Sequence, residues 1–298
     1  MAIVILFRGK CGLSKCITSY LVGMAASDLM VVVSDPVLNW ISVIYFPDSF
    51  LNFTPVCSFI MFLLYASRVV SVWITVAFTF DRFVTICYDK LKTKYCTEKT
   101  AAAIIATVSV LGCLEAIPWY FVSEPRYLIN NIPWECMYQL SFFTSPIWIA
   151  FDMFHLILTP CIPFFLILLL NILTVRRILL ASRVRSAFHG RNIQEDHVDP
   201  EMENRKRSII LLFSISGSFV LLWATQVLFC IYRRITHTHS YSHSDNLYAT
   251  ESAATMLQLL STCTNTCIYV LTQTKFRQQL KNMIEYPFIA IIQCGKFK

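Results

Sequence analysis

Apolar residues along this chain neither alternate nor recur on one face. They come in long uninterrupted runs, at roughly 17–46, 56–88, 100–122, 146–175, 208–232 and 247–272, divided by short polar segments. A bilayer's hydrocarbon core is about 30 Å thick, and about 20 residues of α-helix cross it. Each run is therefore read as a spanning helix. Residues 2–7 (AIVILF) form one more apolar run, stopped by Arg8 after about 9 Å of helix, so the first element, at 1–8, is expected to be a stub. The pattern predicts an all-α, polytopic membrane protein: a seven-transmembrane helix bundle over 1–285 with an incomplete first helix, then a cytoplasmic tail at 286–298. After the last span, KFRQQLKNMIEY sets apolar and basic positions at helical spacing, which predicts a short amphipathic helix lying in the membrane interface.

Composition agrees: 56% of residues are apolar and only 14% charged, with a mean hydropathy of +0.58, outside the range of ordinary soluble domains. The net charge of +7 is not one nucleic-acid-binding patch, because the basic residues recur after every second apolar run. Placing the stub's end inside gives the inner segments twenty Lys and Arg and the outer ones only Arg126, Arg233 and Arg234, which fixes the orientation. The long hydrophilic insert Ser182–Arg207 then falls inside. Its flanking basic residues suit acidic lipid headgroups or a partner's helix. Most of the twelve cysteines lie singly within apolar runs, as small hydrophobes do, and no CxxC pair has metal spacing. Nucleotide-binding, serine-hydrolase and zinc-protease motifs are absent, so no enzyme is indicated.

Four positions share one depth. Asp28, Ser71, Trp223 and Asn265 all lie about 15–24 Å from the inner edge when counted along their helices. An acid there needs a partner or water, so the group is either a buried carboxylate satisfied for packing or a small polar cavity for water or a cation such as sodium. Arg68 is a cation inside the third run, costly unless paired. Asp35 lies seven residues outward of Asp28 on the same face, so Arg68 and Asp35 are either an internal pair or the two poles of a site for a zwitterion. Tyr65, His155, Trp223 and Gln226 would supply stacking and hydrogen bonds in that ligand pocket, and Glu115 is the alternative partner for Arg68. At the inner end of the third run, Asp81-Arg82-Phe83 reads as an ion pair at the membrane edge or as a snorkelling arginine. Asn52-Phe53-Thr54 is a glycosylation sequon on the outer side. Cys294 in the tail is a plain thiol or a palmitoylation site.

Taken in order, Ala25-Ala26-Ser27-Asp28, Cys57, Ser71, Asp81-Arg82-Phe83, Leu222-Trp223-Ala224-Thr225 and Asn265-Thr266-Cys267-Ile268-Tyr269 resemble the motifs of rhodopsin-class receptors coupled to G proteins. The resemblance covers residues 17–285. It departs where Phe83 replaces the tyrosine after Asp-Arg, where the sixth and seventh helices lose their kink prolines, and where the fourth lacks its customary tryptophan. Gly217 and serine or threonine back-bonding would then have to supply the hinge, while Pro163, eight before Asn171, best matches the fifth-helix proline. Leu64 stands where amine receptors carry an aspartate. WITVAFTFDRF, KYCTEKTAA and LLSTCTNTCIYVLTQTKFR are similar to the orphan group that includes receptors responsive to tryptophan and phenylalanine.

The resemblance implies a plasma-membrane receptor that passes the signal of a small-molecule or peptide ligand, such as an aromatic amino acid, to a heterotrimeric G protein of the Gq class. It also implies a Cys57–Cys136 disulfide and coupling roles for Asp81, Arg82, Phe83, Trp223, Asn265 and Tyr269. Sodium at Asp28, Ser71 and Asn265 would act as an allosteric ion, with no other cofactor or metal. Two alternatives stand beside it: a truncated polypeptide that does not signal, and a six-span channel or transporter, against which the lack of internal repeats argues.

Overall fold

The computed structural model describes residues 2–7, 13–88, 91, 95–189, 200–235 and 245–283, with side chains at 181–189, 200–208, 233–235 and 245–248 left aside. The expected tail, Cys294, the lysines of 90–94 and the centre of the hydrophilic insert lie outside the described residues.

A short α1 (Ala2–Phe7) precedes α2 (Lys15–Tyr45), α3 (Thr54–Cys87), α4 (Glu98–Tyr120), α5 (Pro146–His189), α6 (Pro200–Ile235) and α7 (Asp245–Thr272). A last helix, α8, covers 274–283. Among the described residues, five helices, α2 to α6, are long and apolar enough to cross a membrane. At 28 residues α7 is also long enough, but its serine, threonine, glutamine and asparagine side chains lower its hydropathy below theirs. The bundle is polar inward and apolar outward. Asp28, Asp35, Arg82 and Asn265 are buried while Leu221, Leu228, Leu271 and Ile147 stand exposed, the distribution that lipid rather than water selects.

Local sequence sets the helix ends. Ser14 accepts the Ile17 amide and Thr97 the Thr100 amide, capping α2 and α4, and Pro55 opens α3 where its missing N–H costs nothing. Two of the prolines inside spans coincide with a widened turn. Pro36 lies in a π-helical stretch of α2 (Val33–Ile41), and Pro160 in one of α5 (Ile157–Cys161). A proline removes an i→i−4 bond, and the wider turn absorbs the mismatch. The irregular turn of α5 thus sits at Pro160, not at Pro163, which continues as regular helix.

Helix α4 lies close against α3 because Gly112 has no side chain: a Cβ there would stand 2.7 Å from Val70 Cγ2. The inner core joins Ile5 and Leu6 of α1 to Tyr20, Met24, Phe78, Ile215, Tyr269 and Phe276, and Phe276, Leu280 and Met283 dock α8 onto it. On the outer side, between α4 and α5, β1 (Ser123–Ile129) and β2 (Ile132–Tyr138) form an antiparallel hairpin. Asn130 and Asn131 turn it with φ of 52° and 62°, values that asparagine tolerates and two-residue hairpins require. The Cys57–Cys136 disulfide ties β2 to the start of α3, and Thr54 donates to the Glu135 carbonyl at 2.9 Å.

Candidate functional site

Helix α3 carries functional side chains at three levels. Midway along it, Ser71 donates to Asp28 Oδ1 at 2.6 Å, and Asn265 of α7 donates through Nδ2 to Asp28 Oδ2 at 2.8 Å. Both carboxylate oxygens of a buried acid are therefore satisfied, the condition under which a charge persists inside a bundle. Thr75, Phe219, Trp223, Ser261 and Thr262 complete a cavity of about 10 Å³ around them, room for one water-sized occupant. The four side chains grouped by depth in the sequence thus line one space. Tyr269, fully buried against Phe276 with ring centroids 5.9 Å apart, has a hydroxyl without a hydrogen-bond partner among the described residues.

At the inner end, Arg82 and Asp81 are both buried and paired, with Nε of Arg82 donating to Asp81 Oδ2 at 3.1 Å. Cys16 of α2 donates to the other carboxylate oxygen at 3.4 Å. The cationic carbon of Arg82 lies 5.9 Å from the Phe78 ring centroid. Burial lifts the thiol of Cys96, in the segment between α3 and α4, above its ordinary range, and Thr85 lies 3.0 Å from it. Phe83 packs edge-on against Tyr88, and the guanidinium of Arg177 lies 5.5 Å from the Tyr88 ring centroid.

The outer level is a cavity of about 290 Å³ bounded by α3, α4, α5, α6, α7 and the hairpin, at the small end of the range for ligand pockets. Tyr65, Arg68, His155, Trp223 and Gln226, all singled out in the sequence, line it together with Trp119, Tyr138, Phe142, Asp152, Glu251 and Gln258. Tyr65 stacks on Trp119 with centroids 3.6 Å apart and planes 5° from parallel. Its hydroxyl meets that of Tyr138 at 3.3 Å. Arg68 is bonded to Asp35, which is only 1% exposed and does not reach the cavity wall. The two side chains that the sequence placed on one level are thus in direct contact. Glu115 does not meet Arg68; its Oε1 lies 2.8 Å from Nδ1 of His155, so the histidine reads as a partner of Glu115 first and a wall residue second.

A family model described as 7 transmembrane receptor (rhodopsin family) matches residues 1–269. The chain belongs to that family. It is accordingly a multi-pass membrane protein of a receptor family, with a signalling role, and its family is not one of enzymes.

In this receptor α6 and α7, without interior prolines, run as continuous helices. Side chains bond back to the preceding turn instead: Ser216 to Leu212 at 2.7 Å, Ser218 to Ile215 at 2.9 Å, Thr264 to Ser261 at 2.9 Å and Thr272 to Ile268 at 2.7 Å. Such bonds compete locally with the helix ladder and bend it. Ser216 also reaches Asn171 of α5 at 3.0 Å, while Gly217 faces open space.

Asn52, the glycosylation candidate, lies just before α3. The residue is 3% exposed in a short 3₁₀ turn, and its Nδ2 donates to the carbonyls of Phe46 and Pro47 at 3.1 and 2.7 Å. The amide that would carry a sugar is turned inward and engaged. Trp119, Asp152, Glu251 and Gln258 were missed in the sequence. Trp119 sits in an apolar run where nothing separates a cavity wall from a lipid face, while Asp152 and Glu251 lie close to helix ends, where charges are common.

Proposed function

We propose that the receptor carries the signal of a small ligand held in the outer cavity to a heterotrimeric G protein of the Gq class at its inner face, and that it works at the plasma membrane. One observation carries this reading: Trp223 lines both the outer cavity and the small polar one beneath it. A ligand against that ring changes the packing above Asp28, and α3 runs on from Ser71 to the Asp81–Arg82 pair. Release of Arg82 from Asp81 would expose a cation to a partner. By linkage, a G protein that favours the released form tightens ligand binding by the same factor.

Sodium fits the mid-level residues. Asp28, Ser71 and Asn265, with Thr75, Ser261 and Thr262 around the same cavity, offer one carboxylate and several neutral oxygens, the donors a hard cation prefers. Bound there, the ion would supply the positive charge that the buried carboxylate lacks. The outer cavity is proposed to take an aromatic amino acid or the end of a peptide, its ring against the Tyr65–Trp119 wall.

The test is calcium release in cells expressing the receptor and exposed to tryptophan or phenylalanine. A response that disappears in cells lacking Gq-class α subunits is expected; one that persists there refutes the coupling class.

A further inference from the structure

The acidic and basic residues on the wall of the outer cavity are Arg68, Asp152, His155 and Glu251, and all four are engaged. Arg68 is bonded to Asp35, and Nδ1 of His155 lies 2.8 Å from Glu115. Asp152 and Glu251 each have an interaction partner as well. A charged ligand would have to displace one of these partners or enter without a counter-charge, and an uncompensated charge is expensive away from water.

What the wall leaves unanswered is neutral hydrogen-bonding capacity. Among the described residues, the indole Nε1 of Trp119 and the Nε of Arg68 are buried donors without acceptors, and Oε1 of Gln226 is a buried acceptor without a donor. All three residues line the cavity. These atoms meet no water, so a ligand that supplies the missing partners gains the bonds without first stripping water from the protein side. The amide of Gln226 is held through Nε2 to Cys230 Sγ at 3.6 Å, a weak bond to a poor acceptor that a turn of the side chain breaks at little cost. Two N–H donors and one carbonyl acceptor are the complement of an amide, whose oxygen has two lone pairs and whose nitrogen donates.

Resting on the reading of this cavity as the ligand site, we infer that its ligand is an uncharged aromatic amide: an aromatic residue with both its amino and carboxyl groups in amide linkage, as within a peptide or at an amidated end. The amide oxygen takes the donors of Trp119 and Arg68, the amide N–H meets Gln226, and the ring rests beside the Tyr65–Trp119 stack. A free amino acid presents two charges to a wall whose charges are already matched.

The test uses purified receptor in nanodiscs, without G protein, and reads thermal stabilisation and Kd for four indole probes. N-acetyltryptophanamide, the uncharged one, is expected to bind at least tenfold more tightly than tryptophan, tryptamine or indole-3-acetate. Trp119→Phe, which keeps a ring but loses the N–H, and Gln226→Leu, which loses the acceptor, are each expected to weaken the amide at least fivefold. Gln226→Leu also removes an unsatisfied carbonyl from the interior, so its ligand-free melting temperature should equal or exceed the parent's, which keeps the test decisive if Trp119→Phe fails to fold. Any charged probe binding as tightly as the amide, amide binding indifferent to Gln226→Leu, or no stabilisation by millimolar amide overturns the inference. Calcium release read in parallel separates the two claims. Tryptophan that signals and binds more tightly than its blocked amide overturns this inference and leaves the cavity as the ligand site; amide binding that is lost in Gln226→Leu but gives no calcium signal supports it and counts against the Gq reading.

Discussion

Replacing Arg68 by leucine strands a carboxylate. Asp35 is 1% exposed and its partner 18%, so neither charge has bulk water to fall back on. Breaking a buried ion pair from one side costs about 3–5 kcal/mol. Protonation sets a similar ceiling, since neutralising an ordinary aspartate at pH 7 costs about 4 kcal/mol. At the roughly 2 °C per kcal/mol suited to a chain of this size, Arg68→Leu should melt about 6–10 °C below the parent. Asp35→Leu should lose a comparable amount by stranding the guanidinium. In the double variant Arg68→Leu/Asp35→Leu both charges are gone and apolar side chains fill the space, so the loss should shrink to about 1 kcal/mol or less. The assay is melting of detergent-solubilised receptor followed by fluorescence-detected size exclusion, with surface labelling in cells alongside. A single Arg68→Leu variant that melts like the parent and reaches the surface, yet no longer responds to ligand, would refute the structural assignment and return Arg68 to the ligand.

Three further outcomes follow from the packing. Cys57→Ser opens a link across 79 residues, worth about 4 kcal/mol by loop-closure entropy, and surface expression should fall sharply. Gly112→Ala drives a methyl into the stiff Val70 side chain and should cost about 1–3 kcal/mol, whereas Gly217→Ala meets open space and should gain up to about 1 kcal/mol, a contrast that melting curves read directly. Asn52→Gln should leave the receptor's gel mobility, before and after glycosidase, unchanged; a glycosidase-sensitive shift lost in the variant would show the Asn52 amide free to leave its two carbonyl contacts.

How much of this was legible in the sequence depended on whether a residue's meaning lay in its depth or in its neighbours. Counting residues from the basic edges brought Asp28, Ser71, Trp223 and Asn265 to one level, and they line one cavity, because a helix's rise is nearly constant and the membrane fixes its tilt within limits. The same arithmetic placed Asp35 near Arg68 without deciding what held them. That decision lies in the side-chain directions of α2, whose π-helical stretch begins just before Asp35 and rotates the face that simple spacing assumes. His155 and Glu115 are 40 positions apart, and nothing periodic links α4 to α5. The hairpin stayed hidden because its strands are seven residues each, short and mixed in polarity, with an Asn130-Asn131 turn that reads as any polar loop.

The central claim is that the buried Asp81–Arg82 pair at the inner end of α3 is the element a G protein releases. Guanine-nucleotide exchange on purified Gq heterotrimer, catalysed by the receptor in nanodiscs, tests it most directly. The receptor should accelerate exchange, and Arg82→Ala should abolish that acceleration while the variant still reaches the cell surface. Exchange that proceeds equally well with Arg82→Ala would contradict the account.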